Sequence, residues 1–363
     1  MIMEQVAKYR EVINWIKDEI ASGGLQEGDR LMSEQELSEK FSLSRQTIRH
    51  ATGELEAEGL LRRVRGSGTY VGPASITPVR EVFHNIAVIS TYVDSYIFPA
   101  TIRGIESVLS GAGYTMQMAF TDDSVAQEQV ILKGLLDKDN IDGLIVEPAK
   151  SALPNPNLDM YRELKKRGIP ILFFNAYYRD LDMPCVRLDD FEAGRQMTEV
   201  LIAAGHRRIG AIFHTEDGQG ALRYGGFVQA MLSSQFTVDP GRICWVDAFS
   251  FKNIRPMKRF LLERLKGCTG LFCYNDEIAR QMIELYREEG IRVPDDVSVV
   301  AVDDASVANM GGTPLATCSH PKEQLGIKAA ENLLKMIANP AFDGNHLFPC
   351  EPMIRDSVRN LRR

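Results

Sequence analysis

SRQTIRHATGELEAEGLLRRVRGSGTYV, residues 44–71, reads as a short helix followed by a two-strand ribbon with a glycine tip, and arginines lie on both. Ser44 is placed to cap the helix by accepting from a free amide of the next turn. Ile48, Ala51 and Leu55 recur at i, i+3 and i+7, so they share one face, and Gly59 supplies the stop. Arg45, Gln46, Thr47 and Arg49 are left on or near the exposed first turn, the part of a recognition helix that enters a DNA major groove. Beyond the stop, Leu60, Leu61 and Val64 alternate imperfectly with Arg62, Arg63 and Arg65. Gly66-Ser67-Gly68 allows a tight turn, and Thr69-Tyr70-Val71 favours a returning strand. A basic hairpin beside such a helix makes a winged helix, and double-stranded DNA is the partner it implies.

The residues upstream agree. Tyr9, Val12, Ile13, Ile16 and Ile20 have helical spacing, Gly23-Gly24 breaks that helix, and Ser33 with Glu36 forms a capping box opening a second helix through Leu37 and Phe41. Three helices and a wing fill residues 1–72. In Ser33-Glu34-Gln35-Glu36-Leu37, FSLSRQTIRHA (41–51) and EAEGLLRRVRGSGTYV (56–71), this module resembles the GntR family of winged helix-turn-helix regulators. The resemblance implies phosphate and base contacts from Ser44, Arg45, Thr47 and Arg49, a wing tip at Gly66 beside the minor groove, and a further contact from Gln35. Gln46 and Arg65 join the DNA-facing set by position.

A chain of 363 residues is long for one core, so two or three domains are expected. The net charge of −7 argues against a generic polyanion binder. Even residues 1–72 hold 10 Lys and Arg against 12 Asp and Glu. Five arginines fall within residues 45–65, however, and DNA affinity depends on where the cations face. No run of about 18 apolar residues offers a membrane span. The start, MIMEQVAKYRE, lacks the apolar stretch and cleavage site of a signal peptide, which leads us to expect a cytoplasmic protein. Cys185, Cys244, Cys268, Cys273, Cys318 and Cys350 are dispersed without a C-x-x-C pair and read as core thiols rather than a disulfide framework or zinc site.

Residues 73–84 read as a turn-rich linker, and the pattern changes from Asn85. Apolar runs near 86–91, 114–119, 142–147, 169–175, 184–189, 207–213, 243, 270–275 and 297–302 alternate with helical stretches, the one after 207–213 beginning about Ala221. Strands alternating with helices indicate parallel sheets covered on both faces, and about ten strands imply two subdomains. This α/β region, 85–363, resembles the LacI-type effector domains, which share the type I fold of periplasmic sugar-binding proteins. The carriers are VRLDDFEAGRQMTEVLIAAGHRRIGAI (186–212), CYNDEIA (273–279), VPDDVSVVAVDD (293–304) and IRDS (354–357). The fusion of these two parts is similar to the arabinose-responsive transcriptional repressors, most visibly in ISTYVDSYIFPATIRGIE (89–106), GLIVEPAKSAL (143–153) and HPKEQLGIKAAENLL (320–334).

Ligands of open α/β sheets bind at the carboxyl ends of strands. The residues there are Tyr92, Asp94, Tyr96 and Phe98 after the first strand, then Glu147 and Lys150, then Phe174 and Asn175, and later Asn275, Asp276, Asp303 and Asp304. Arg223 and Asp276 stand where the LacI group contacts sugar, and His320 sits where the chain recrosses between subdomains. Carboxylates, amides, an arginine and aromatic plates suit a pentose, which presents hydroxyls around apolar faces. Each has an ordinary alternative: aromatic loop packing for Tyr92, Tyr96 and Phe98, a turn cap for Asp304, a surface cation for Lys150. Asp122-Asp123, Asp189-Asp190 and Asp295-Asp296 read as helix-start acids favouring the dipole rather than catalytic pairs. No H-x-x-x-H or H-E-x-x-H spacing, G-x-S-x-G elbow or dinucleotide fingerprint occurs, so no metal, cofactor or catalytic residue is expected. The resemblance implies a homodimeric repressor freed from its operator by a sugar, L-arabinose. A different sugar, a sugar phosphate, an activator or a sugar-modifying enzyme are the alternatives.

Overall fold

The structure is a computed structural model that describes residues 2–64, 67–72, 82–94, 96–309 and 312–362, with the backbone alone for residues 2–8. Arg65, Gly66 and most of the expected linker lie outside the described residues. The chain divides into two compact units, Met1–Glu81 and Val82–Arg363.

The first unit holds α1 (Ile2–Ser22), α2 (Glu34–Phe41), α3 (Arg45–Ala57), β1 (Leu61–Val64) and β2 (Gly68–Val71). The capping box forms: Ser33 Oγ accepts from Glu36 N, and the Glu36 side chain accepts from Ser33 N. Val12, Ile13, Ile16, Leu37, Ile48, Ala51, Leu55 and Leu61 make one core. β1 and β2 pair antiparallel from Leu61↔Val71 to Val64↔Gly68. Burying Ile48, Ala51 and Leu55 leaves Arg45, Gln46 and Arg49 exposed on the opposite side of α3.

The second unit opens with β3 (Asn85–Ser90), α4 (Phe98–Gly111), β4 (Thr115–Phe120), α5 (Val125–Lys138), β5 (Gly143–Val146), α6 (Leu158–Lys166), β6 (Ile171–Phe174) and β7 (Cys185–Leu188). A second subdomain follows with α7 (Asp190–Ala203), β8 (Ile209–His214), α8 (Gly218–Ser233), β9 (Ile243–Val246), α9 (Ala248–Lys252), α10 (Lys258–Arg264), β10 (Gly270–Cys273), α11 (Asp276–Glu288), β11 (Ser298–Val300) and β12 (Thr317–Ser319). The chain then returns to the first subdomain for α12 (Lys322–Ala338) and β13 (His346–Phe348), and crosses once more to β14 (Glu351–Met353). The first sheet runs β13-β7-β6-β5-β3-β4 and the second β11-β10-β8-β9, all neighbours parallel. All four residues of β5, of β6 and of β10 are buried, as sheets covered by helices on both faces require.

Four expectations change. β12, β13 and β14 were not legible as strands, since each has three residues and is defined by partners far away in sequence. α8 begins at Gly218, ahead of the expected Ala221, because Asp217 caps it by accepting from Gly220 N. Asp295 and Asp296 sit in the turn before β11, paired with Arg292, and start no helix. Not all six cysteines are free: Cys318 and Cys350 form a disulfide, Cα–Cα 6.1 Å, where β12 and the segment before β14 run side by side. No described helix is long and apolar enough to cross a membrane.

Candidate DNA interface and effector cleft

On the head, Ser44 Oγ caps α3 by accepting from Thr47 N at 3.2 Å and lies 2.8 Å from Thr47 Oγ1. The sequence reading missed Glu34. Its carboxylate accepts from Arg49 Nε at 3.2 Å and Arg49 Nη2 at 2.8 Å, and also from Arg63 Nη2 of the wing at 2.8 Å. The hydrogen bonds from Arg49 hold its carboxyl below the usual range. Gln35 accepts from Arg45 Nη2 at 2.8 Å. The first turn of α2 therefore orients cations from both the helix and the wing. No local pattern announces that, because Glu34 and Arg63 are far apart in the chain.

In the second unit, a cleft of about 380 Å³ opens between the subdomains at the carboxyl ends of the strands. Tyr92, Tyr96, Phe98, Glu147 and Lys150 line it from one side, Arg223, Asn275 and Asp303 from the other. Arg223, one turn into α8 and 1% exposed, donates Nε to Asp190 Oδ1 at 2.9 Å, Nη1 to Tyr274 O at 2.6 Å and Nη2 to Asp303 Oδ1 at 3.0 Å. Two carboxylates sharing one guanidinium do not ionise equally. Burial pushes Asp190 up to about 6 against the pull of Arg223. Burial also opposes ionisation of Asp303, yet Arg223 and the surrounding donors keep it below the ordinary carboxyl value. Tyr96 Oη donates to Asp303 Oδ2 at 2.5 Å from across the cleft.

Glu147 is held by Thr91 N, Thr91 Oγ1, Ser90 Oγ and Asn175 Nδ2, although burial still raises its pKa. Lys150 donates to Glu216 at 2.8 Å and Asp123 at 3.4 Å. Asn175 Oδ1, Asp190 Oδ2 and both ring nitrogens of His320 are buried with no partner among the described residues. Burial drives His320 down to about 4, so its ring is neutral and able to donate and accept. Unmade bonds of this kind cost about 1–3 kcal/mol each, and none of these three residues, the expected His320 included, is among those lining the cleft.

The structure does not bring all the expected residues to the cleft surface. Asp94 is exposed and outside the lining, Phe174 is wholly buried in the first-subdomain core, and Asn175 lies behind Glu147. Asp276, 0% exposed, accepts from Thr317 Oγ1 and Ala305 N beneath the floor, and Asp304 pairs with Arg355. Asn275 lines the cleft while its side chain caps α11. Residues not foreseen there include Asp123, His214, Asp217, Phe251, Lys252 and Tyr274. Asp190, read as a helix-start acid, is the buried partner of Arg223; the two are linked only by folding.

A winged helix-turn-helix head joined to a two-subdomain binding body defines a ligand-responsive transcriptional regulator. Residues 8–71 match the model of bacterial regulatory proteins of the gntR family, and residues 198–358 that of the periplasmic binding protein-like domain. The chain is 36% identical over 359 residues, 97% of its length and 96% of the relative's, to the arabinose metabolism transcriptional repressor of Geobacillus stearothermophilus. It is 37% identical to that of Halalkalibacterium halodurans over 336 residues, 91% of this chain and 89% of the other. The chain belongs to this family of arabinose metabolism transcriptional repressors. Among solved structures, a GntR transcription regulator from Chromobacterium violaceum is similar with TM-score 0.66 at 26% identity, covering 76% of this chain and 99% of that one. The regulator CcpA of Lactococcus lactis shares the fold, with TM-score 0.68 at 23% identity over 76% of this chain and 99% of its own.

Proposed function

We propose that this repressor is a cytoplasmic homodimer whose two heads grip a roughly palindromic operator and release it when a neutral pentose, L-arabinose, enters the cleft. Ser44, Arg45, Gln46, Thr47 and Arg49 face the DNA, with Gln35 beside them, and the family resemblance adds Gly66, and sequence position Arg65, to the DNA-contacting set. Tyr92, Tyr96, Phe98, Glu147, Lys150, Arg223 and Asn275 meet the sugar directly. Asn175 holds Glu147 from behind, the His320 amide bonds the Asp303 carbonyl, and Asp276 and Asp304 support the floor. No cofactor or catalytic residue enters this account.

The observation that carries the ligand class is the charge of the lining. Asp123, Glu147, Asp217, Glu277 and Asp303 face Lys150, Arg223 and Lys252, and the first two of those cations are already paired with protein carboxylates. A sugar phosphate would bring a further dianion into an acidic site, whereas a neutral polyol meets acceptors and aromatic faces. Titrating operator DNA with and without sugar tests the reading. L-arabinose is expected to weaken operator binding tenfold to a hundredfold, a coupling of about 1.4–3 kcal/mol. Equal affinities would reject the proposal, and release by arabinose 5-phosphate alone would replace the ligand class.

A further inference from the structure

Glu128, on α5, is 0% exposed and lies outside the cleft lining. Its Oε1 accepts from the Ala149 amide at 3.4 Å, Tyr161 Oη at 2.8 Å and Tyr178 Oη at 2.6 Å. Its Oε2 accepts from Asn155 Nδ2 at 2.8 Å and Asn157 Nδ2 at 2.9 Å. Burying a carboxylate costs several kcal/mol before its bonds are counted, and an apolar side chain of similar volume would fill the space more cheaply. Packing alone therefore does not explain the group. Its donors point to a purpose, because three of the five belong to one segment, residues 149–157.

That segment follows β5 and lies outside every helix and strand until α6 begins. Its shape must come from side-chain bonds, and Glu128 is their centre. Lys150 adopts φ +47°, a conformation a non-glycine residue holds only under constraint, and its amide donates to Asp123 Oδ1 at 2.9 Å. Tyr178 Oη lies 2.8 Å from Ala149 O as well as 2.6 Å from Glu128 Oε1, and its one proton serves either acceptor, so the phenol ties the Ala149 backbone to the carboxylate. The same stretch presents Lys150 and Ser151 to the cleft, and Ala152 N bonds Glu216 O in the opposite subdomain.

We propose that Glu128 is a positioning residue for effector binding: through Ala149, Asn155 and Asn157 it fixes the segment that carries Lys150 and Ser151. The inference rests on the cleft being the effector site, and it deepens that reading by naming what preorganises one wall.

The test pairs Glu128→Gln, which places an amide donor among groups that already donate, with Tyr178→Phe, which removes one grip. In sugar-free protein, hydrogen exchange at the amides of 149–152 should accelerate about tenfold in either variant, with the amides of β3 and β5 protected as in the wild type. The dissociation constant for L-arabinose should rise about tenfold, while operator affinity without sugar stays unchanged. Wild-type exchange across 149–152, or acceleration spread equally over β3 and β5, would overturn the proposal. Should Glu128→Gln fail to fold, Tyr178→Phe decides alone. If local exchange accelerates while neither wild type nor variant binds L-arabinose, the assignment of the sugar falls and the positioning of the segment stands.

Discussion

Asp276 carries the clearest pH signature of any side chain near the cleft. Burial, and then the neighbouring Asp303, push its carboxyl up to about 8 from an ordinary 3.8. The folded chain thus holds a proton that the unfolded chain releases near pH 4, and the stability this lends is full in acid and lost progressively as pH rises to about 8. His320, pushed down to about 4, acts in the opposite sense below its ordinary 6.5, and Asp190 titrates near 6. Comparing the wild type with Asp276→Asn cancels the groups the two share, and pH 6.5 to 8 is the interval where the raised Asp276 carboxyl dominates the difference. Over it, thermal unfolding should show the wild type losing stability relative to Asp276→Asn, and parallel curves would refute the shift. On the head, Arg49→Ala should weaken operator binding and lower the salt slope by about one, as loss of a phosphate contact requires. An unchanged slope would leave Arg49 as the structural partner of Glu34 alone.

At the scale of elements, α7 and α8 set the geometry of the Arg223 cluster. They approach closely because Gly194 and Gly226 carry no side chain at the contact. A Cβ at Gly226 would overlap Phe191 O and Arg195 N, both backbone atoms unable to step aside. Gly226→Ala is expected to cost about 1–3 kcal/mol by forcing the helices apart, lowering the melting temperature and weakening sugar binding through Arg223. Gly225→Ala meets only the Phe191 ring, at 3.3 Å, and serves as the milder control. If the two variants melted alike, the close approach would not matter. This scale also separates what was legible in the sequence from what was not. The capping box of α2, the buried face of α3 and the parallel strands announce themselves because each signal spans a few adjacent residues. Arg223 stood out by resemblance, but Asp190 did not: its meaning depends on a guanidinium 33 residues further on. Phe174 ends a strand as a ligand-facing residue would, yet the pleat turns it into the core, a choice made by the sheet and not by local pattern.

For the second unit as a whole, the cleft is closed by bonds that cross it. Lys150 Nζ meets Glu216 at 2.8 Å, Ala152 N meets Glu216 O at 3.1 Å, Gly218 N meets Ser151 Oγ at 2.9 Å, and Tyr96 reaches Asp303. The chain crosses between the subdomains near 189, 320 and 349, so these contacts govern how far the cleft opens. The Lys150 and Glu216 side chains are 24% and 20% exposed, and a pair so placed contributes no more than about 1 kcal/mol. A balance this fine is one that a ligand can tip, since apparent affinity scales with the fraction of molecules already competent to hold it. Glu216→Gln removes the charge of the latch while keeping its shape. It should raise the dissociation constant for L-arabinose by up to about fivefold. If the closed body is the form that lets go of DNA, the same change should leave sugar-free operator binding as tight as before or tighter. These opposite signs distinguish a shifted equilibrium from a damaged fold, which would weaken both. Isothermal titration with sugar and a parallel operator titration read the two quantities, and an unchanged sugar affinity would show that the cross-cleft pair does not set the balance.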